Sequence, residues 1–508
     1  MKKWIKDRIH FSLFNSFIIG LFFTILQSPG ATLTVTNLAD SGPGTLRDRI
    51  ATANSGDMIN FSVVGTVALQ SELTISKNLR IDGLGPNFTK VSGNNSNRVF
   101  RITSGVAQIY YMRISDGRVV GTNGLAGANG ENVMGGGVLV ASGASLNMQV
   151  VLLTNNVVIG GQGGTTNQFG SAGNGGNGLG GGIANLGILT LSACNVMGNA
   201  AIGGMGSPDG ASPGTGGQGW GGGIYSEGTA RISIVTIYSN TATAGAGLGG
   251  PGGGAGGGIY NAATLDLLTS TIASNTAAGS TFDSGGGIAD FGVLTVGECT
   301  IAGNSADFGG GFSGVGTFGN TILALNSAGS GPDGSGTINS SDYNLIQDTN
   351  GMSFTGTTTH NIAGQNPLLT PLQDNGGGGF GIVTLTIGLL PASPAIDKAK
   401  VAFNNADQRG YYRPYDFVSV ANAAGGNGSD IGAFEVWPSP ELAIQRADTN
   451  VVVSWFTNGI RFVLQTVPSL AAPVNWSYVS GTPARLGDHF YVTNAVTNFS
   501  TFYRLIQD

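Results

Sequence analysis

Two acids line up in this chain. Asp283 and Asp307 each stand two residues before a Gly-Gly-Gly run, at Gly285 and Gly309. If such runs mark successive turns of a repeat, the two carboxylates meet across adjacent turns. Like charges so placed need a counter-ion or solvent, and Ca2+ is the cation that two carboxylates would share. The plainer reading is two solvated turn residues. A second polar concentration, Asp407, Arg409, Arg413 and Asp430, reads as a structural ion-pair cluster.

Chemistry on polysaccharides asks for more. A lyase needs a Lys or Arg base beside carboxylates, and a glycosidase needs two acids about 5–9.5 Å apart. There is no Lys between Lys90 and Lys398 and no His between His10 and His360. From Gly135 to Asn326 the only Arg is Arg231, which faces Asp266 one repeat on. The carboxylates there are Asp209, Glu227, Asp266, Asp283, Asp290, Glu298 and Asp307, mostly at different repeat positions. No catalytic or cofactor-binding residue is assigned. No Lys-Ser/Thr follows the Gly runs, so they are not phosphate loops.

The repeat must position whatever chemistry there is. Its clearest copies begin at Gly180, Gly221, Gly256 and Gly285, with an Asn nineteen residues later at Asn199, Asn240, Asn275 and Asn304. A weaker copy runs from Gly135 to near Asn155, and a shorter one from Gly309 to Asn326. Counting the first Gly as zero, offset three is always Ile, and offset eleven is Leu191, Ile232, Leu267 and Val296. Offset sixteen is Val196, Ile237, Ile272 and Ile301. Side chains alternate along a strand, so each copy reads as three short strands with an apolar inner face. Stacked copies make a right-handed parallel β-helix, the hand following the usual crossover preference. The Asn should ladder along one turn, where Asn tolerates a left-handed backbone.

Length varies only between each Asn and the next triple Gly. The gaps from Asn155, Asn199, Asn240, Asn275 and Asn304 are 25, 22, 16, 10 and 5 residues. These Gly-rich inserts are expected to form a tapering fringe of loops, with Phe169, Asp209 and Trp220 as their few anchors. In repeat proteins the insertion face is often the binding face, and flexible spacers are the alternative.

Cys194 and Cys299 share offset fourteen, three coils apart. At ~4.8 Å per coil that is roughly 14 Å, beyond the ~7 Å reach of a disulfide. Both read as buried packing residues.

The N-terminus resembles an export signal: Lys2, Lys3, Lys6 and Arg8, then an apolar stretch from Phe11 to Leu26 and small residues to Ala31. The 508-residue chain carries a net charge of -6, which gives nucleic-acid binding no electrostatic support. No other stretch is long and apolar enough to span a membrane as a helix. The expected divisions are a signal at 1–31, an N-terminal cap and irregular coils at 32–134, and Gly-rich repeats at 135–340. A closing region at 341–436 and a small antiparallel β-sandwich at 441–508 follow a Pro438-Ser439-Pro440 boundary. The segment Thr45–Asn54 reads as an amphipathic capping helix.

Three stretches carry a resemblance. Thr34-Val-Thr-Asn-Leu-Ala-Asp-Ser-Gly-Pro-Gly-Thr-Leu-Arg47 resembles the opening of bacterial exported β-helix proteins. The Gly-Gly-Gly-Ile-Tyr copies are similar to polymorphic outer-membrane protein repeats. Ser393-Pro-Ala-Ile-Asp397, Asp407-Gln-Arg-Gly410, Arg413-Pro414 and Asp430-Ile-Gly-Ala-Phe-Glu435 resemble the closing region of choice-of-anchor Q proteins. The resemblance implies a secreted or surface location and brings no reaction. The sequence thus points to an exported binding, adhesion or structural module. Polysaccharide or other cell-surface components are its expected partners, and a polysaccharide-active lyase or glycoside hydrolase is the alternative.

Overall fold

The computed structural model describes residues 30–167, 170–377, 384–401 and 405–438. In the C-terminal part it describes 441–456, 462–471, 473–479, 481–486, 489–495 and 500–507. The expected signal as far as residue 29, Phe169, and Ser439 and Pro440 of the expected boundary lie outside the described residues.

The repeat folds as its spacing requires. In the Gly180 copy, Ile183–Asn185, Ile188–Ser192 and Asn195–Met197 form three strands. Each pairs in parallel with its equivalent in the next copy, at Ile224–Ser226, Thr229–Ser233 and Thr236–Tyr238. Register keeps every offset in line, so Leu191 meets Ile232, Ile232 meets Leu267, and Leu267 meets Val296. A one-residue slip would turn each apolar row outward, which is why register is fixed. The inward rows form one continuous core from Val35 to Ile346, the interior of a parallel β-helix.

Three positions of positive φ recur in each coil, the first being the leading Gly of the triple, as at Gly180, Gly221, Gly256 and Gly285. The residue at offset thirteen has positive φ, as at Ala193, Ile234, Thr269 and Glu298. The residue at offset eighteen does too, as at Gly198, Ser239, Ser274 and Gly303. The left-handed position is therefore the one before the ladder Asn, not the Asn itself. In the Gly135 copy the same frame puts Asn155 (φ 57) at the corner and Asn156 in the ladder, one residue beyond the expected position.

The ladder is buried and fully bonded. Asn240 donates through Nδ2 to Asn275 Oδ1 and to the Val196 carbonyl, each at 2.9 Å. Its Oδ1 accepts from the backbone N–H and Nδ2 of Asn199. The chain of side-chain bonds runs Asn156, Asn199, Asn240, Asn275, Asn304, Asn326 and ends on Asp333.

The inserts are not loose loops. After the Asn, Ala200–Ile202 and its equivalents form a fourth parallel ladder, and Gly178–Leu179 and its equivalents form a fifth before the triple Gly. Beyond these, outgoing and returning arms pack side by side with a three-residue period. Gly121, Gly124 and Gly127 donate to Ile159, Gln162 and Thr165 of the next coil. Gly161 and Gly164 donate to Glu131 and Ala128 of the previous coil, and Gly173 and Gly176 donate back to Gly164 and Gly161. Extended segments bonded only to neighbours, three residues per turn, match polyproline II geometry. Gly is required where arms abut. A Cβ on Gly217 would lie 1.9 Å from the Gly176 oxygen, and one on Gly173 1.8 Å from that of Ala128. The result is a solid Gly shelf along one corner of the helix.

The ends and flank follow other rules. Leu46–Thr52 is helical, capped by the Thr45 hydroxyl, with Leu46 and Ile50 buried over the first coils. Thr32–Val35 and Met58–Phe61 pair beneath it. The repeat's ladders continue past Asn326 through Gly334–Ser341, Leu345–Ile346, Met352–Thr357 and Ile362–Ala363. The rest of the closing region then folds back along the third sheet. Leu389, Ala395, Ile396 and Ile431 pack on Ile322, Ala324 and Leu345, and Ile387 packs on Ala273 and Ala302. Gln408 fixes the docking by bonding the hydroxyls of Thr236 and Thr271 on adjacent coils.

The C-terminal part has two antiparallel sheets, of four and three described strands, around Val453, Trp455 and Leu464. Ala443–Ala447 and Ala484–Leu486 are the edge strands of the four-stranded sheet and are exposed.

Candidate functional site

Three sheets enclose the core, and two of their outer faces are covered. On the first, the residue before each triple Gly folds onto the residue at offset four: Leu179 with Ala184, Trp220 with Tyr225, Ala255 with Tyr260. There Trp220 and Tyr260 stack at 4.7 Å and 5°, and Tyr260 stacks on Phe291 at 5.2 Å. The Tyr225 hydroxyl bonds Glu227. The third face lies under the closing region.

The second face is bare among the described residues. One outward row reads Val106, Ser145, Ile188, Thr229, Thr264, Val293, Val315, Thr337, Ser353. The next includes Asn147, Thr190, Arg231, Asp266, Thr295, Thr317, Asn339 and Thr355 in register. At its C-terminal half the face carries no charge. Asn339 donates to Thr317, Thr355 to Asn339, and Thr337 bonds Ser353. Beside this hydroxyl and amide strip lies an apolar edge. Phe291 is 66% exposed, Val293 65% and Val315 61%, and Phe291 is held upright by its stack on Tyr260. A rigid apolar edge and a short polar strip thus lie side by side on this face. The signal was present in the sequence: offset eight has outward parity, yet carries Ile188 and Val293.

Arg231 and Asp266 do meet on this face, at 3.6 Å, with the Arg largely exposed. Such a pair contributes little, about 0–1 kcal/mol.

Asp283 and Asp307 lie on adjacent coils as their spacing predicts, and their bonds give the alignment a structural cause. Asp283 is buried. Its Oδ1 accepts the Gly254 N–H at 2.5 Å, and its Oδ2 accepts the Ser280 N–H at 2.7 Å. One coil earlier, Gly219 donates to the carbonyl of Gly253. The Asp283 carboxylate thus replaces an arm that the shortened insert lacks, and closes the shelf. Asp307 Oδ2 accepts the Asp283 N–H at 3.2 Å. Among the described residues no three His, Cys, Asp or Glu side chains group to hold a metal.

The Asp407, Arg409, Arg413 and Asp430 cluster forms, and the structure adds Glu298, Asp397 and Glu435 to it. Arg409 pairs with Asp407 at 2.6 Å, and buried Arg413 lies 3.5 Å from Glu435 and 3.8 Å from Glu298. The carboxylates bind backbone: Asp430 accepts the N–H groups of Asp397 and Val436, and Glu435 those of Tyr415 and Asp430. Burial pushes Asp430 up to about 7 and Asp397 up to about 6. Burial, then the neighbouring Asp430 charge, raises Glu435 as well. Buried and turned onto backbone, these acids hold the closing region together rather than face a substrate. A further pair escaped the sequence reading. His360 Nδ1 lies 2.7 Å from Asp342, and its ring stacks on Tyr343 at 4.7 Å.

Both thiols are free and fully buried, as their shared offset predicts, and burial pushes each up to about 12. No helix among the described residues is long and apolar enough to cross a membrane. No family model matches the chain, and a search of the curated proteins finds no match.

Proposed function

We propose that this is an exported β-helix protein of the cell surface or surroundings that binds neutral glycans along its bare second sheet. The observation that carries this reading is the coverage pattern. Two sheet faces are buried by the chain's own shelf and closing region, and the second face is left open among the described residues, with an apolar edge beside a hydroxyl and amide strip. Large exposed apolar side chains grouped beside polar ones mark interaction sites. A low-charge ligand fits the low-charge face, and the resemblance of the closing region to choice-of-anchor Q proteins favours an exported, surface-held role.

The test is a panel of neutral and acidic polysaccharides scored for both retention and bond cleavage. Neutral polymers should be retained without new reducing ends. Phe291→Ala should weaken retention roughly tenfold, about 1.4 kcal/mol, the scale of one aromatic contact. Steady turnover of any polymer would replace the binding role with an enzymatic one.

A further inference from the structure

The two ends of the β-helix are finished differently. At the N-terminal end the first strand, Thr32–Val35, is blocked. Arg49 of the capping helix donates to the Thr34 carbonyl, and Thr36 and Asn37 donate to Gly44. At the other end, Met352–Thr357 pairs on one side only, with Gly334–Ser341. Its other edge has no partner strand among the described residues, and Ser353, Thr355, Gly356 and Thr357 are exposed. The devices that protect an edge are missing. From Thr349 to Thr359 there is no charge and no Pro. The core is also unsealed here: Met352 and Phe354 continue the inward rows but remain half-exposed.

We propose that this terminal coil pairs with the same coil of a second copy, giving a tail-to-tail dimer about a two-fold axis. The occupant follows from the ends themselves. A head-to-tail stack would need an open N-terminal edge, and that edge is blocked. A two-fold relation makes the paired strands antiparallel, and opposed residues in such a pair share a face. Inward Phe354 must then oppose an even-numbered residue. A two-fold at Phe354 sets Phe354 against its own copy, sealing both cores, and sets Ser353 against Thr355 of the second copy. The uncharged strip has nothing to repel itself, and a C2 contact of this kind is self-limiting, with no route to fibres.

Sedimentation of the chain lacking its export segment tests this directly. The wild type should sediment at twice the chain mass. Ser353→Lys with Thr355→Lys places like charges opposite each other across the two-fold, and should give a monomer with an unchanged circular-dichroism spectrum and melting curve. Ser353→Thr with Thr355→Ser should remain dimeric. A monomeric wild type, a double-Lys variant that stays dimeric, or a monomer produced equally by the conservative pair would each overturn the proposal. Phe291→Ala, which weakens the proposed glycan face and leaves the terminal coil untouched, should remain dimeric, so the dimer and the glycan reading stand or fall separately.

Discussion

Replacing Asn240 with Ala tests the ladder most sharply, because its environment is fully accounted for. The side chain is buried and makes four hydrogen bonds, two given and two accepted. Truncation leaves Asn275 Oδ1 partly served, since the Asn240 backbone N–H still reaches it. Three buried groups lose a partner: the Asn199 N–H, one Asn199 Nδ2 proton and the Val196 carbonyl. Each such orphan costs about 1–3 kcal/mol. The three share one small void that a single water can enter, which favours the low end, so the sum is about 3–5 kcal/mol. Asn155→Ala is the control, exposed and outside the ladder, costing about 1 kcal/mol for the left-handed backbone it must keep. Equilibrium urea unfolding of both variants, followed by tryptophan fluorescence, reads the difference. If Asn240→Ala costs no more than Asn155→Ala, the ladder is ornament and this reasoning fails.

Other outcomes follow from the same geometry. Gly217→Ala should destabilise by roughly 3 kcal/mol or more, because its Cβ meets backbone. Gly253→Ala, which meets only the movable Gln218 side chain, should be nearly silent in the same melts. Neither thiol should react with a maleimide in the native protein, and both should in denaturant; native labelling of Cys194 or Cys299 would contradict their burial. The closing region should loosen as pH rises. Asp397, Asp430 and Glu435 are raised above their unfolded values, so their protonated forms are favoured by folding. No penalty exists below about pH 4, and it accumulates as pH climbs through about 6 to 7. Amide exchange of residues 395–401 and 405–436, corrected for its intrinsic rate, should therefore be slower at pH 5 than at pH 8. The opposite trend would mean that the attraction of Arg413 outweighs burial.

Much of this fold was written in period and parity. The offsets that read as inward, Ile183, Leu191 and Val196, are the core, and Leu46 and Ile50 of the capping helix are buried as their spacing requires. Three things were not legible, each for a physical reason. Asn155 and Asn156 are adjacent identical residues, and only the backbone corner tells which turns inward. The Gly-rich inserts look like spacers because polyproline II packing leaves no apolar period; its signal is a Gly at every third position, as at Gly173 and Gly176. The docking of the closing region on the third sheet joins residues more than a hundred positions apart, such as Gln408 and Thr271, which no local pattern announces. The aligned acids were visible, but alignment alone could not tell a cation site from the carboxylate that ends the shelf.

That shelf has a reading frame. An arm turns once per three residues and must return beside itself, so removing a full turn from each arm, six residues in all, keeps the Gly positions in register. The gaps from Asn199, Asn240 and Asn275 to the next triple Gly are 22, 16 and 10, each six shorter than the last. Deleting one or two residues from an arm would move Gln162 or Asn174 into a slot where only Gly fits, and would jam the neighbouring coils as well. Over these three inserts the taper behaves like a gene's codons, losing length in whole units; at its two ends, from 24 residues between Asn156 and Gly180 to 22, and from 10 to 5, it does not.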